Sequence, residues 1–162
     1  MKKVTFIAAL ITPFVIALGY IVNIILFEIN CTDYLKRVAD ANTIELAADN
    51  LKIALDYLEE NNLTSGYTSV LYKTPDEDIT YWYNNLKNSY IELVELDPNT
   101  TSLEKSNMLM KLRETILDSG EHGEYVTCPP GICRYPHNLG WGILMCFGIA
   151  VFFIGIGLIR HY

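Results

Sequence analysis

Cys128 and Cys133 are separated by four residues in residues 126–138, VTCPPGICRYPHN. Pro129-Pro130-Gly131-Ile132 between them suits a type II turn, with proline at its second position and glycine supplying the positive φ of the third. That turn would set the two cysteines opposite each other across a small hairpin. Cross-strand Cα separations of about 4.5–5.5 Å fall in the disulfide range, so a Cys128–Cys133 disulfide is the expected chemistry. It requires an oxidising compartment. The competing chemistry is metal binding by the two thiolates and His137, but the C-x4-C spacing is a loose match to zinc and no fourth ligand is evident. There is no C-x-x-C, so thioredoxin-like chemistry and c-type haem attachment are unsupported. Cys31 reads as a free thiol or one that pairs between chains, and Cys146 as a small apolar residue.

The second group is aromatic. Tyr67, Tyr72, Tyr81, Trp82 and Tyr90 are concentrated in a short part of the chain, either as the core and rim of a helical bundle or as a ligand or partner surface. Asp76-Glu77-Asp78 reads as the acidic first turn of a helix, favoured by the helix dipole, rather than as a calcium site. His122 stands alone. No Ser/His/Asp set, phosphate loop or HExxH occurs, so no enzyme, cofactor or metal is expected. Asn30, Asn62 and Asn99 each begin an Asn-x-Thr glycosylation pattern.

Two apolar runs must position these groups. Residues 139–159 contain 21 residues without a charge. At about 1.5 Å per residue, a helix of that length covers the roughly 30 Å core of a bilayer. Residues 4–27 form the other run, too long for the apolar part of a cleavable leader and read here as a signal anchor. Lys2 and Lys3 before the first run and Arg160 after the second place both termini in the cytoplasm by the positive-inside rule. Residues 28–138 are then outside, most simply across a bacterial inner or plasma membrane. The lipid bilayer is the first expected partner. The chain's net charge is −7, but residues 28–138 hold all 19 acidic residues against nine basic ones, a balance of −10. Such a domain repels nucleic acid.

Within the runs, Pro13 is a candidate kink. Asn23 is an interfacial amide or an interhelical hydrogen bonder. Gly148 and Gly155, seven residues apart, share a smooth face suited to close helix packing. Neither run contains Asp, Glu, Lys or Arg, which argues against a proton relay or an ion path through this chain alone.

Between the runs the spacing predicts three helices. Tyr34, Val38, Ala41, Ile44, Ala48, Leu51, Leu55 and Leu58 recur at fours and threes, a coiled-coil-like seam over about 32–60. Thr74-Pro75-Asp76-Glu77 opens a helix over about 75–96, carrying Ile79, Tyr83, Leu86, Tyr90 and Leu93. Thr101-Ser102-Leu103-Glu104 is a capping box opening a third over about 102–119, with Leu109, Leu112 and Ile116 inward and Gly120 at its end. Residues 120–138 are a loop returning to the membrane. The expected fold is an all-α membrane protein. Two transmembrane helices flank an extracytoplasmic antiparallel three-helix bundle, joined to the second span by a Cys/Pro/Gly juxtamembrane loop.

This layout resembles, in architecture, the sensor half of bacterial chemoreceptors and histidine kinases. The resemblance implies ligand sensing outside and a signal passed inward. Those receptors carry an output domain after their second span, whereas only residues 160–162 follow here, so a signal would have to pass through a partner. The leading expectation is a scaffold or accessory subunit whose outer domain binds another membrane protein or a second copy of itself. The alternative is a ligand-sensing subunit with a tyrosine-lined pocket.

Overall fold

The computed structural model describes residues 2–71, 73–121 and 123–160, with side chains from residue 11 onward except at Gly155 and 158–160. The chain is mostly helical and falls into two compact units. One combines Met1–Ile25 with Cys133–Tyr162, and the other is Leu26–Ile132.

The first unit contains helix α1, Lys2–Phe27, except its last two residues, which fall in the second unit, and helix α6, Asn138–Arg160. Large apolar side chains of both are exposed, among them Phe14, Val15, Leu18, Phe147, Phe153 and Ile154. A helix apolar all round is one that is buried, in a protein core or in a membrane. Among the described residues, one helical stretch is long and apolar enough to cross a membrane: Ile11–Ala39, 29 residues, whose most apolar window has a mean hydropathy of 2.0. The described apolar part of α6, Asn138–Ile154, is shorter.

Past those two residues of α1, the second unit opens with a π turn, Glu28–Thr32, which runs directly into α2, Asp33–Ala39. Helix α3 is Ile44–Glu60, α4 is Ile79–Val94 and α5 is Ser102–Ile116. Strand β1, Leu117–Gly120, and strand β2, Gly123–Val126, form an antiparallel hairpin pairing Leu117 with Val126 and Gly120 with Gly123. Helix α3 packs against α2 and α4, and α5 against α2. The core is the facing side of these helices: Leu35, Val38, Ile44, Ala47, Leu51, Ala54, Leu58, Ile79, Leu86, Leu93, Leu112 and Ile116 are buried.

Four helices therefore stand where the spacing predicts three. The helix expected over 32–60 is broken at Asp40–Thr43. Asp40 leaves helical geometry at φ −91°, ψ 0°, and Thr43 caps a new helix by accepting from the Leu46 N–H at 3.2 Å. The break and the π turn also move the seam. Leu35, Ala47 and Ala54 are buried in place of the expected Tyr34, Ala41 and Ala48. Helix α4 starts at Ile79 rather than Pro75. Pro75–Glu77 is a single 3-10 turn, and Asp78, not Thr74, caps the helix by accepting from the Tyr81 N–H at 3.1 Å. Backbone bonds from Thr68 to Glu77 and from Ile79 to Gly66 hold residues 77–79 in a bridge that a helix could not make.

The capping box at the start of α5 forms as expected. The Thr101 hydroxyl accepts from the Glu104 N–H, and the Glu104 carboxylate accepts from the Thr101 N–H at 2.9 Å. The end of α5 differs. It stops at Ile116 because residues 117–120 pair with 123–126, and the Thr127 N–H caps the Ile116 carbonyl at 2.8 Å. Gly120 lies in a strand, not at a helix end. A side chain there would meet the Tyr125 ring at 3.1 Å, so glycine is what lets that ring lie over the hairpin. An all-α fold is thus corrected by one small hairpin.

Candidate functional site

The residues singled out by sequence fall into separate places. In the first unit the contact between α1 and α6 is built on small residues. A methyl group added at Gly148 would lie 3.3 Å from Ile16 Cδ1 and 3.5 Å from Pro13 Cα, so the bare backbone there admits α1. At Gly19 it would lie 3.3 Å from the Trp141 ring. Tyr20 meets Trp141 edge to face at 6.1 Å, and the Arg134 guanidinium covers the other part of that aromatic pair at 5.4 Å from the Tyr20 centroid. A stack of this kind contributes packing and a cation–π attraction where an aromatic girdle would sit. Asn23 does not bridge the helices here: its amide donates to the Gly19 carbonyl of its own helix at 2.8 Å. The surroundings of Gly155 lie outside the described residues.

The turn predicted in the cysteine loop is present. Gly131 has φ +77°, and the Ile132 N–H donates to Pro129 O at 3.1 Å. The chain after the turn departs from the expectation. Ile132–Arg134 coils into a 3-10 turn instead of returning as a strand. The hairpin that would face Cys128 with Cys133 is not built, and the structure contains no disulfide among its described residues. Among those residues there is also no cluster of three or more His, Cys, Asp or Glu side chains able to hold a metal ion.

The aromatic group does not converge on one cavity. The Tyr67 ring carries Lys73 Nζ at 4.9 Å, and the Asp78 charge, with a hydrogen bond to it, raises the Tyr67 hydroxyl above its ordinary pKa. The Trp82 indole N–H donates to Thr127 O at 2.8 Å. Tyr81 is exposed and Tyr90 half-buried, while Tyr72 lies outside the described residues. Two open grooves on the domain are lined by other residues. One, of about 540 Å³, lies among Asp33, Lys36, Arg37, Asp40, Leu46 and Asn50, with two acids balancing two bases. The other runs between residues 42–45 and Ser102, Lys105, Ser106 and Leu109.

Three polar arrangements escape a reading of spacing because their partners are far apart in the chain. The buried Tyr83 hydroxyl donates to the Glu59 carboxylate, and Lys87 Nζ donates to Glu59 Oε1 and to the Tyr83 oxygen, both at 2.9 Å. The Tyr83 bond first and Lys87 second hold the Glu59 carboxyl below its usual range. Burial first and the Glu59 bond next raise the Tyr83 hydroxyl. Arg113 bridges Ala39 O at 3.3 Å, Asp40 at 3.1 Å and Glu124, tying α5 and β2 to the end of α2. Cys31, within the π turn, is completely buried.

The outer surface of the domain carries apolar residues at helical spacing. Leu46 and Ile53 on α3 are seven apart and 47% and 44% exposed. Leu103 and Met110 on α5 are seven apart and 72% and 59% exposed. Compared with protein-family models, curated proteins and solved structures, the chain matches none.

Proposed function

We propose that this chain is a two-span membrane protein whose acidic domain, outside the cytoplasm, binds the helix of a partner, either another membrane protein or a second copy of this chain, as a scaffold or accessory subunit without catalytic chemistry of its own. The observation that carries the reading is the pair of outward apolar ridges. Leu46 with Ile53 and Leu103 with Met110 each repeat at seven residues, the period at which one helix meets another. Burying these ridges against a partner removes apolar surface from water.

The topology is supported by two further facts. The outward faces of α1 and α6 are apolar. The basic residues Lys2, Lys3 and Arg160 flank the two apolar runs on the sides that the positive-inside rule assigns to the cytoplasm. Photo-crosslinking residues placed at 103 and 110 in native membranes test the function. Both should capture one and the same protein, while a crosslinker at the exposed Asn84 of α4 captures none. Equal capture from all three positions, or capture from none, contradicts the reading.

A further inference from the structure

The two units divide the chain's charge unequally. Residues 1–25 and 133–162 hold Lys2, Lys3, Arg134 and Arg160 but no Asp or Glu, and every acidic side chain lies in residues 28–124. Lys2, Lys3 and Arg160 stand at the two ends of the sequence, whereas Arg134 comes just before α6. Its backbone is tied to the start of that helix. The His137 N–H donates to the Arg134 carbonyl at 2.8 Å, and the Trp141 N–H donates to the His137 carbonyl at 2.9 Å. The guanidinium carbon lies 5.4 Å from the centroid of Tyr20, whose ring meets Trp141. Gly19 lets the indole come this close to α1, because a methyl group there would lie 3.3 Å from it. A guanidinium carries five N–H donors, and an aromatic face attracts its charge without accepting hydrogen bonds of ordinary strength. Arg134 Nε is buried with no hydrogen-bond partner among the described residues, and the ion pairs among those residues leave this arginine out. An unmatched donor and an unpaired charge beside two apolar helices both call for an anionic acceptor.

We propose that Arg134, held against Tyr20 and Trp141, binds the phosphodiester of a phospholipid headgroup. Phosphate matches a guanidinium in charge and in geometry, offering two oxygens to two parallel N–H donors. Tyrosine and tryptophan at the ends of membrane helices sit at the level of the headgroups, which brings the phosphate to the arginine. Leu139 and Ile143, four apart at the start of α6, are exposed and offer apolar surface to the acyl chains. The inference rests on the reading of α1 and α6 as membrane spans.

The test uses the full-length Trp82→Phe chain, in which Trp141 is the remaining tryptophan, in dodecyl maltoside, a detergent without phosphate. It is titrated with dioleoylphosphatidylglycerol, with dioleoylglycerol, which has the same acyl chains and no phosphate, and with inorganic phosphate. The phospholipid should change Trp141 emission saturably, and the other two should not. Arg134→Gln should weaken phospholipid binding roughly tenfold or more, as loss of a charge-assisted hydrogen bond does. Equal binding of the two lipids overturns the phosphate site and leaves the spans standing. Inorganic phosphate that saturates the signal as tightly as the phospholipid overturns the lipid as the ligand. Wild-type affinity in Arg134→Gln overturns the part given to the arginine. If that variant does not fold, the comparison of the two lipids on the chain that keeps Arg134 decides alone. Binding of neither lipid overturns the site, and a chain that also stays monodisperse without detergent overturns the reading of the spans with it.

Discussion

In the α1–α6 pair, Phe14, Phe147 and Phe153 are exposed and the helices touch at Gly19 and Gly148. In the middle domain the order is inverted: Leu35, Leu51 and Leu58 are enclosed, and the outside carries ion pairs such as Lys52–Asp56 and Lys111–Glu92. Both regions are helical, and the difference is the one expected of a bilayer around the first and water around the second, as proposed above. Water drives leucines together because burial removes apolar surface from it. Hydrocarbon supplies no such drive, and helices there hold together by close backbone approach over small residues. One chain thus carries two packing rules.

The two regions are distinguishable in solution because the chain's two tryptophans fall one in each: Trp141 in the terminal pair and Trp82 in the domain. The largest effect is expected in the water-packed region. Leu51→Ala empties a fully buried site and should lower domain stability by about 2–5 kcal/mol, read from Trp82 in denaturant titration of a Trp141→Phe background. Trp141 in the reciprocal background should report no change. Next comes the α1–α6 pair. Gly148→Leu must displace Ile16 and the Pro13 backbone, an overpacking cost of about 1–3 kcal/mol seen by Trp141. Gly142→Leu, where an added methyl meets nothing within 4 Å, should leave both reporters alone. If the two glycine variants behave alike, the contact between α1 and α6 is wrong.

Much of this inversion is legible in the sequence, and the exceptions share a physical cause. Uncharged runs and three-four spacing are local signals, and they mark the terminal helices and the inward faces of α3 and α4. The Thr101–Glu104 box is equally local. Pairings across the chain are not legible in this way. Nothing near Leu117 announces Val126 as its partner, so spacing alone extends α5 as helix through it. The Asp40-Ala41-Asn42-Thr43 cluster does carry a capping signal, but the seam running through it is stronger. The cysteines show both sides. The turn at Pro129–Ile132 is dictated by its residue types, whereas the path of the chain after Gly131 is not.

Smaller effects sharpen the picture of the domain. Thr101→Ala removes one arm of the capping box and should cost about 1 kcal/mol by thermal unfolding, with Ser restoring most of it. Glu59 gives a pH signature. Its folded-state pKa lies below its ordinary value of 4.5, first through the Tyr83 hydroxyl and then through Lys87. The contribution is therefore full above the unfolded value and lost as pH falls through the folded one. The stability difference between the wild type and Glu59→Gln should be constant near neutral pH and shrink on acidification. A difference that grows toward acid would contradict the bond pattern.

The central claim is that the acidic domain lies across the membrane from the chain's basic ends. The most direct measurement places a cysteine at Leu71, which is 88% exposed, and treats intact cells with a membrane-impermeant maleimide, locating the label by mass spectrometry. Residue 71 should be labelled in intact cells to the same extent as after permeabilisation. Labelling that appears only once the membrane is opened would contradict the claim.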